Sequence, residues 1–135
     1  MKVSTKGRYA LRMLLDLAEH KEQGFIPLKD IAERQDISKQ YLEQIVSIIN
    51  SSGALRANRG NQGGYMLAKE PSAYTVGQIL RITEGNLAPI ACLEDDVNQC
   101  ERAKKCKTLS MWKGLNKVIT DYLDGVTLQD ILDEK

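Results

Sequence analysis

Between Pro27 and Gly64 the chain carries two short amphipathic segments, a brief interruption between them, and a glycine-rich loop after the second. In LKDIAER, Leu28, Ile31 and Ala32 recur at helical spacing; in KQYLEQIVSIIN, Leu42, Ile45, Val46 and Ile49 do the same. Pro27 stands where the first of these helices begins. The periodicity breaks at Gln35-Asp36, and Ser38 is placed to cap the second helix. That helix stops at Ser51-Ser52-Gly53, a usual helix end. The following ALRANRGNQGGYMLA is two short segments around a Gly/Asn-rich tip, which predicts a β-hairpin.

Ser4 or Thr5 caps a further helix upstream, with Ala10, Leu11, Leu14, Leu17 and Ala18 on one face. Downstream, Thr75 and Gln78 form a capping box on VGQILRITE, which Gly85 closes. Leu109, Trp112, Leu115, Ile119 and Tyr122 then mark a long amphipathic helix that ends at Gly125. Thr127 with Asp130 caps a last short turn, LQDILDE. The predicted fold is mostly α with a small β-hairpin wing: a winged helix-turn-helix over residues 1–70, then residues 71–135 with a cysteine loop and a long C-terminal helix. In this order of elements the second helix of the motif enters the major groove, and the wing reaches the backbone or the minor groove.

At 135 residues, 42% hydrophobic and 27% charged, the composition is that of one ordinary globular domain. The most apolar run near the start, ALRMLLDLA, is interrupted by Arg12 and Asp16, so it reads neither as a signal peptide nor as a membrane span. A cytoplasmic protein without a membrane partner is expected. Net charge is +1, but residues 1–69 carry +4 and residues 70–135 carry −3. The N-terminal half is therefore the better candidate for meeting a polyanion, although a solvated surface explains the same imbalance.

On the second helix of the motif, Gln40, Tyr41, Glu43, Gln44 and Ser47 point away from the apolar stripe. Gln bonds adenine through two atoms, Glu accepts from cytosine N4, and Tyr or Ser holds phosphate. A plain solvated face more often carries Lys/Glu pairs than this amide-and-hydroxyl set. At the hairpin tip a single arginine, Arg59, stands with Gly60, Gly63 and Gly64. Such an arginine suits the negative potential of a narrow minor groove; the plainer reading is a flexible hairpin. Lys6, Arg8 and Arg12, with Arg56 and Arg59, offer charge to neutralise phosphates. Candidate DNA contacts are thus Lys6, Arg8, Ser38, Gln40, Tyr41, Glu43, Gln44, Arg59 and Gly60.

The three cysteines, Cys92, Cys100 and Cys106, fall within CLEDDVNQCERAKKC. Six residues at about 100° each leave Cys100 and Cys106 roughly 240° apart on a helix, so the stretch reads as an ordered loop. Arg102, Lys104, Lys105 and Lys107 surround the thiols and favour the thiolate, the form that binds metal or reacts. Soft thiolates at this density suit an iron–sulfur cluster or zinc. A redox disulfide with one spare thiol, or inert cysteines, are the alternatives. A thiol oxidoreductase would be an enzyme, but the chain has no C-x-x-C, no βαβ pattern and one histidine.

MKVSTKGRYAL, ISKQYLEQIV and RGNQGGYML resemble the signature segments of the Rrf2 family of bacterial winged-helix repressors. The cysteine loop and the helix after it resemble the IscR-like branch, which senses iron–sulfur clusters. The resemblance implies a transcription regulator, not an enzyme. It implies a homodimer that pairs through the long helix around Trp112, Leu115 and Ile119 on palindromic double-stranded DNA. The family's DNA contacts carry over onto Tyr41, Glu43, Gln44 and Arg59, and less firmly onto Gln40. Cys92, Cys100 and Cys106 would ligate one 2Fe–2S cluster. The fourth ligand is open: where relatives often have a histidine stands Leu109, and where another branch has an acid stands Arg8. Glu94, Asp95, Asp96, Glu101, Thr108 and Ser110 are nearby oxygen donors, and His20 is a distant candidate. A family regulator without a cluster, governed by a partner protein, is the other implied function.

Overall fold

The computed structural model describes residues 2–60, 63–94 and 104–134. Helix α1 (Thr5–Glu19) starts at Ser4, whose hydroxyl oxygen accepts from the Gly7 amide at 3.1 Å. Helix α2 (Leu28–Gln35) follows the extended Pro27 and ends at Asp36, a left-handed residue at φ 54°. Helix α3 (Lys39–Ser51) starts at Ser38, whose hydroxyl accepts from Tyr41 N at 3.1 Å. The interruption predicted at Gln35-Asp36 is therefore a left-handed turn that bends the chain between two capped helices.

Strands β1 (Leu55–Asn58) and β2 (Gly64–Leu67) pair antiparallel, with Leu55 opposite Leu67 and Asn58 opposite Gly64. Ile26, just before α2, adds a further rung by exchanging two backbone bonds with Tyr65, at 2.8 and 2.9 Å. The approach is close: a Cβ on Gly64 would collide with the Ile26 backbone. Helix α4 (Val76–Glu84) carries the Thr75–Gln78 capping box, and Gly85 closes it at φ 88°. Helix α5 (Leu109–Gly125) and α6 (Leu128–Asp133) complete the chain, the latter with the Thr127–Asp130 capping box. Among the described residues, no helix is long and apolar enough to cross a membrane.

The main core draws Met13, Leu14 and Leu17 from α1, Ile31 from α2, Leu42, Ile45 and Ile49 from α3, and Ile26 from the extra rung. It also takes Ile79 of α4 and Leu128 of α6, both essentially inaccessible. Burying each such side chain contributes about 1.5–3 kcal/mol. The core thus crosses the boundary expected near residue 70: elements before and after it share one interior. A smaller cluster, Val76, Leu80 and Leu87, packs Ile119 and Leu123 of α5 against α4.

None of α5 is fully buried, and its outer face carries Met111, Leu115, Val118 and Tyr122 at 52, 39, 65 and 68% exposure. Their spacing of four, three and four residues makes one apolar stripe. Of the three residues expected at a pairing face, Leu115 belongs to this stripe. Ile119 faces inward onto α4, and Trp112 is half-buried.

Candidate nucleic-acid interface and cysteine loop

The interface begins with the stripe that holds α3 in place. Leu42, Ile45, Val46 and Ile49 are buried, which turns Gln40, Glu43, Gln44 and Ser47 to solvent. These four form the amide, carboxylate and hydroxyl face expected of a base-reading helix. Tyr41 differs from its expected position. It is half-buried, with its ring edge-on to Tyr9 at 5.7 Å between centroids and 84° between planes. Tyr41 therefore ties the start of α3 to α1 as well as bordering the outer face.

Arg12 also departs from expectation. Its guanidinium lies over the Tyr9 ring at 5.0 Å, and it donates to the Gln35 side chain at 3.2 Å and to the Gln35 carbonyl oxygen. It is engaged within the scaffold instead of standing free for phosphate. Behind it, Asp16 is 1% exposed and accepts from Arg34 at 2.6 and 3.0 Å and from Gln35 at 3.0 Å. Burial pushes the Asp16 carboxyl upward, but the Arg34 and Gln35 hydrogen bonds outweigh it and hold the group below the usual carboxylate range. The same contact raises Arg34 further. The Arg12–Gln35–Asp16–Arg34 network thus clamps α2 to α1. His20 belongs here too, with Nδ1 2.8 Å from the Asp16 carbonyl oxygen.

Arg8 is exposed and donates to Thr5 Oγ1 at 3.1 Å, and Lys6 is half-buried one turn from the same helix start. Ser38 is exposed while it caps α3. Arg59 and Gly60 stand exposed at the hairpin tip, with Gly60 at φ 117°, a conformation glycine adopts without cost. Asn61 and Gln62 of the tip lie outside the described residues. Arg56 lies 5.9 Å over the Phe25 ring.

The closure at the base of the hairpin was not visible in the sequence. The Tyr74 hydroxyl, buried just before α4, donates to the Ala54 carbonyl at 2.6 Å. It also accepts from the amides of Ala68 and Lys69 at 3.0 and 3.1 Å. One oxygen thereby closes the open end of the hairpin, while Ile26 braces its side. Tyr74 lies outside any apolar repeat, and its only advance sign was a tyrosine between a proline and a helix cap.

In the cysteine loop, Cys92 is half-buried in a single 3-10 turn, Ala91–Leu93, that follows α4. Cys106 is half-buried three residues before α5, with its sulfur 3.4 Å from Thr108 Oγ1. Lys104, Lys105 and Lys107 are exposed beside it. Cys100, Arg102, Asp95, Asp96 and Glu101 lie outside the described residues. Among the described residues no group of three His, Cys, Asp or Glu side chains converges as a metal site. Leu109 is the first residue of α5 and offers only hydrocarbon at the position considered for a fourth ligand. His20 is placed beside Asp16 at the end of α1, as part of the α1–α2 clamp.

Residues 3–134 match the family profile described as Rrf2, iron-dependent transcriptional regulator. The chain is 40% identical over 131 residues to the HTH-type transcriptional regulator CymR of Bacillus subtilis, spanning 97% of this chain and 89% of that one. The solved structure of CymR, titled the global cysteine regulator of B. subtilis, superposes with a TM-score of 0.79 over 97% of this chain and 95% of that one, at 39% identity. The HTH-type transcriptional regulator IscR of Pectobacterium atrosepticum is 36% identical over 135 residues, covering all of this chain and 81% of that protein. The solved structure of T. potens IscR gives a TM-score of 0.77 at 40% identity, over 98% of this chain and 86% of that one.

Proposed function

The chain belongs to the Rrf2 family of DNA-binding transcriptional regulators, and from that premise we propose a homodimeric reader of palindromic duplex DNA whose activity follows the state of an iron–sulfur cluster. The observation that carries the DNA reading is the solvent face of α3, where Gln40, Glu43, Gln44 and Ser47 stand on a fully buried aliphatic stripe. That face enters the major groove, where Gln44 and Gln40 offer bidentate pairing to adenine and Glu43 accepts from cytosine. Tyr41, Ser38, Arg8 and Lys6 border it and take phosphates, which set register but not sequence. Arg59, carried by the braced hairpin with Gly60, enters the adjoining minor groove. Two copies pair through Met111, Leu115, Val118 and Tyr122, the stripe that α5 leaves uncovered.

Residues 1–70 do the reading in this scheme, and residues 71–135 sense and pair. The donor set fits a cluster: three soft thiols lie within fifteen residues, and the two described ones flank the loop, half-buried, on the stems leading from α4 and into α5. Cys92, Cys100 and Cys106 would hold a 2Fe–2S cluster, with a fourth ligand other than residue 109. When bound, such a cluster supplies an iron- and oxygen-dependent change of charge at this loop. The chain's part is to supply the thiolates, surround them with Lys104, Lys105 and Lys107, and couple the loop's stems to α4 and α5. Such a regulator works in the cytoplasm.

A second reading is a cluster-free regulator of the same family, and the 40% identity to CymR favours it. Anaerobic purification separates the two. The cluster reading expects a brown protein with visible absorption, lost in Cys92→Ala, Cys100→Ala and Cys106→Ala while each variant remains a folded dimer. A colourless protein without iron supports the second reading. For the DNA reading, anisotropy titrations against a selected operator and random duplex are decisive: equal affinity for both would refute base reading by α3.

A further inference from the structure

Helix α5 is attached to the body near one end. Ile119 and Leu123 pack on Val76 and Leu80, and Val76 N donates to the Val126 carbonyl oxygen at 2.8 Å just beyond the helix. On the same side Arg81 donates to both oxygens of Asp124, at 2.7 and 2.9 Å, from α4 to the penultimate residue of α5. Among the described residues this is the only ion pair joining α5 to another element. It is seated over Gly77, one turn before Arg81, where an added Cβ would collide with the Asp124 carboxylate and press on the Arg81 guanidinium. The Arg81 hydrogen bond lowers Asp124, and the same bond raises Arg81.

We propose that the Arg81–Asp124 pair, laid across the side-chain-free Gly77, is a positioning device. It sets the angle at which α5 leaves the body, and so the separation of half-sites that the protein accepts. This rests on the dimeric DNA-reading function given above. The lever is long. From Asp124 to Leu109 runs about 22 Å of helix, so a swing of about 10° at the pair moves the far end by about 4 Å. Successive base pairs are about 3.4 Å apart and turned by about 35°, so such a swing covers the rise of about one base pair, and freedom of rotation about the pair must supply the turn. The bidentate fork fixes direction as well as distance, which a lysine at position 81 could not do.

The test uses full-length protein and the palindromic operator selected from a random duplex pool, with the spacer lengthened or shortened by one base pair. The wild type should bind the selected spacing about tenfold or more tightly than either altered one, the scale of one poor base step. Arg81→Gln removes the fork, and Gly77→Ala displaces the carboxylate without changing any charge. Both should flatten the spacing preference to within about threefold, with Arg81→Lys in between. Both should remain dimers by sedimentation and keep wild-type affinity for a duplex with one half-site. Folded dimers that retained the wild-type spacing ratio would overturn the proposal, and so would an equal loss on the single half-site. A wild type that is monomeric, or indifferent to spacing, would instead refute the dimeric reading itself and the positioning role with it.

Discussion

Tyr74→Phe isolates one oxygen. In the wild type that oxygen satisfies the Ala54 carbonyl and the amides of Ala68 and Lys69, at a side chain 5% exposed. After the substitution the ring still fills its place, so no cavity forms. The Ala68 amide keeps its 3.2 Å bond to the Ala54 carbonyl, and the Lys69 amide is left without its partner. One lost hydrogen bond at about 1 kcal/mol, plus an unpaired part-buried amide at about 1–2, predicts a loss of about 2–3 kcal/mol. For a domain of this size that is a drop of roughly 6–12 °C in Tm. Urea unfolding followed by circular dichroism checks the stability. The functional arm is sharper: the tip that carries Arg59 loses the closure of its open end, so discrimination between A/T-rich and G/C-rich flanks should weaken in anisotropy titrations. A loss below about 0.5 kcal/mol would refute the hydrogen-bond account, being no more than an ordinary surface substitution costs. A full stability loss with unchanged flank discrimination would refute the coupling of Tyr74 to the hairpin tip.

Gln44→Ala should cost about 1–3 kcal/mol on the cognate operator and relax selectivity at one base position per half-site, measured by competition with single-base variants. Arg59→Ala should weaken binding most on A/T-rich flanks; equal losses on all flanks would make it a phosphate contact. Asp16→Asn should destabilise by about 3 kcal/mol, the low end for a broken buried pair because Arg34 retains some solvent. Since the folded Asp16 sits below its unfolded value, its contribution is present above about pH 4 and disappears as pH falls through the lower folded value. The acid limb of stability against pH should therefore be shallower in the variant than in the wild type. Val118→Glu places a charge in the middle of the exposed α5 stripe and should shift sedimentation toward monomer at micromolar concentration; an unchanged dimer would move the pairing surface elsewhere.

Elements with caps and period were legible in advance because their signals are local. Thr75–Gln78 and Thr127–Asp130 fix two helix starts through side chains three residues apart, and the apolar stripe of α3 determines its outer face unaided. What escaped depends on groups far apart in the chain. Tyr74 acts on backbone twenty residues earlier, and Arg12 meets Gln35 across twenty-three. No periodicity marks such partners, so Arg12 looked like a phosphate ligand and Tyr41 like a fully outward one. The exposed apolar stripe on α5 was half legible for a related reason. Its two apolar sides are alike in composition, and only the presence of α4 shows that Ile119 is covered and Val118 is not.

Leu128 has a consequence in time. This residue of α6 is fully buried in the same interior as Leu14, Ile45 and Ile49. A growing chain therefore makes α3 early but cannot close the interior it packs on until residue 128 has been added. By then the cysteine loop and all of α5 have been synthesised. Incomplete chains that already carry Gln40, Glu43, Gln44 and Ser47 lack the finished support for that helix. The order of synthesis thus makes a fully supported α3 face wait on the last helix of the chain.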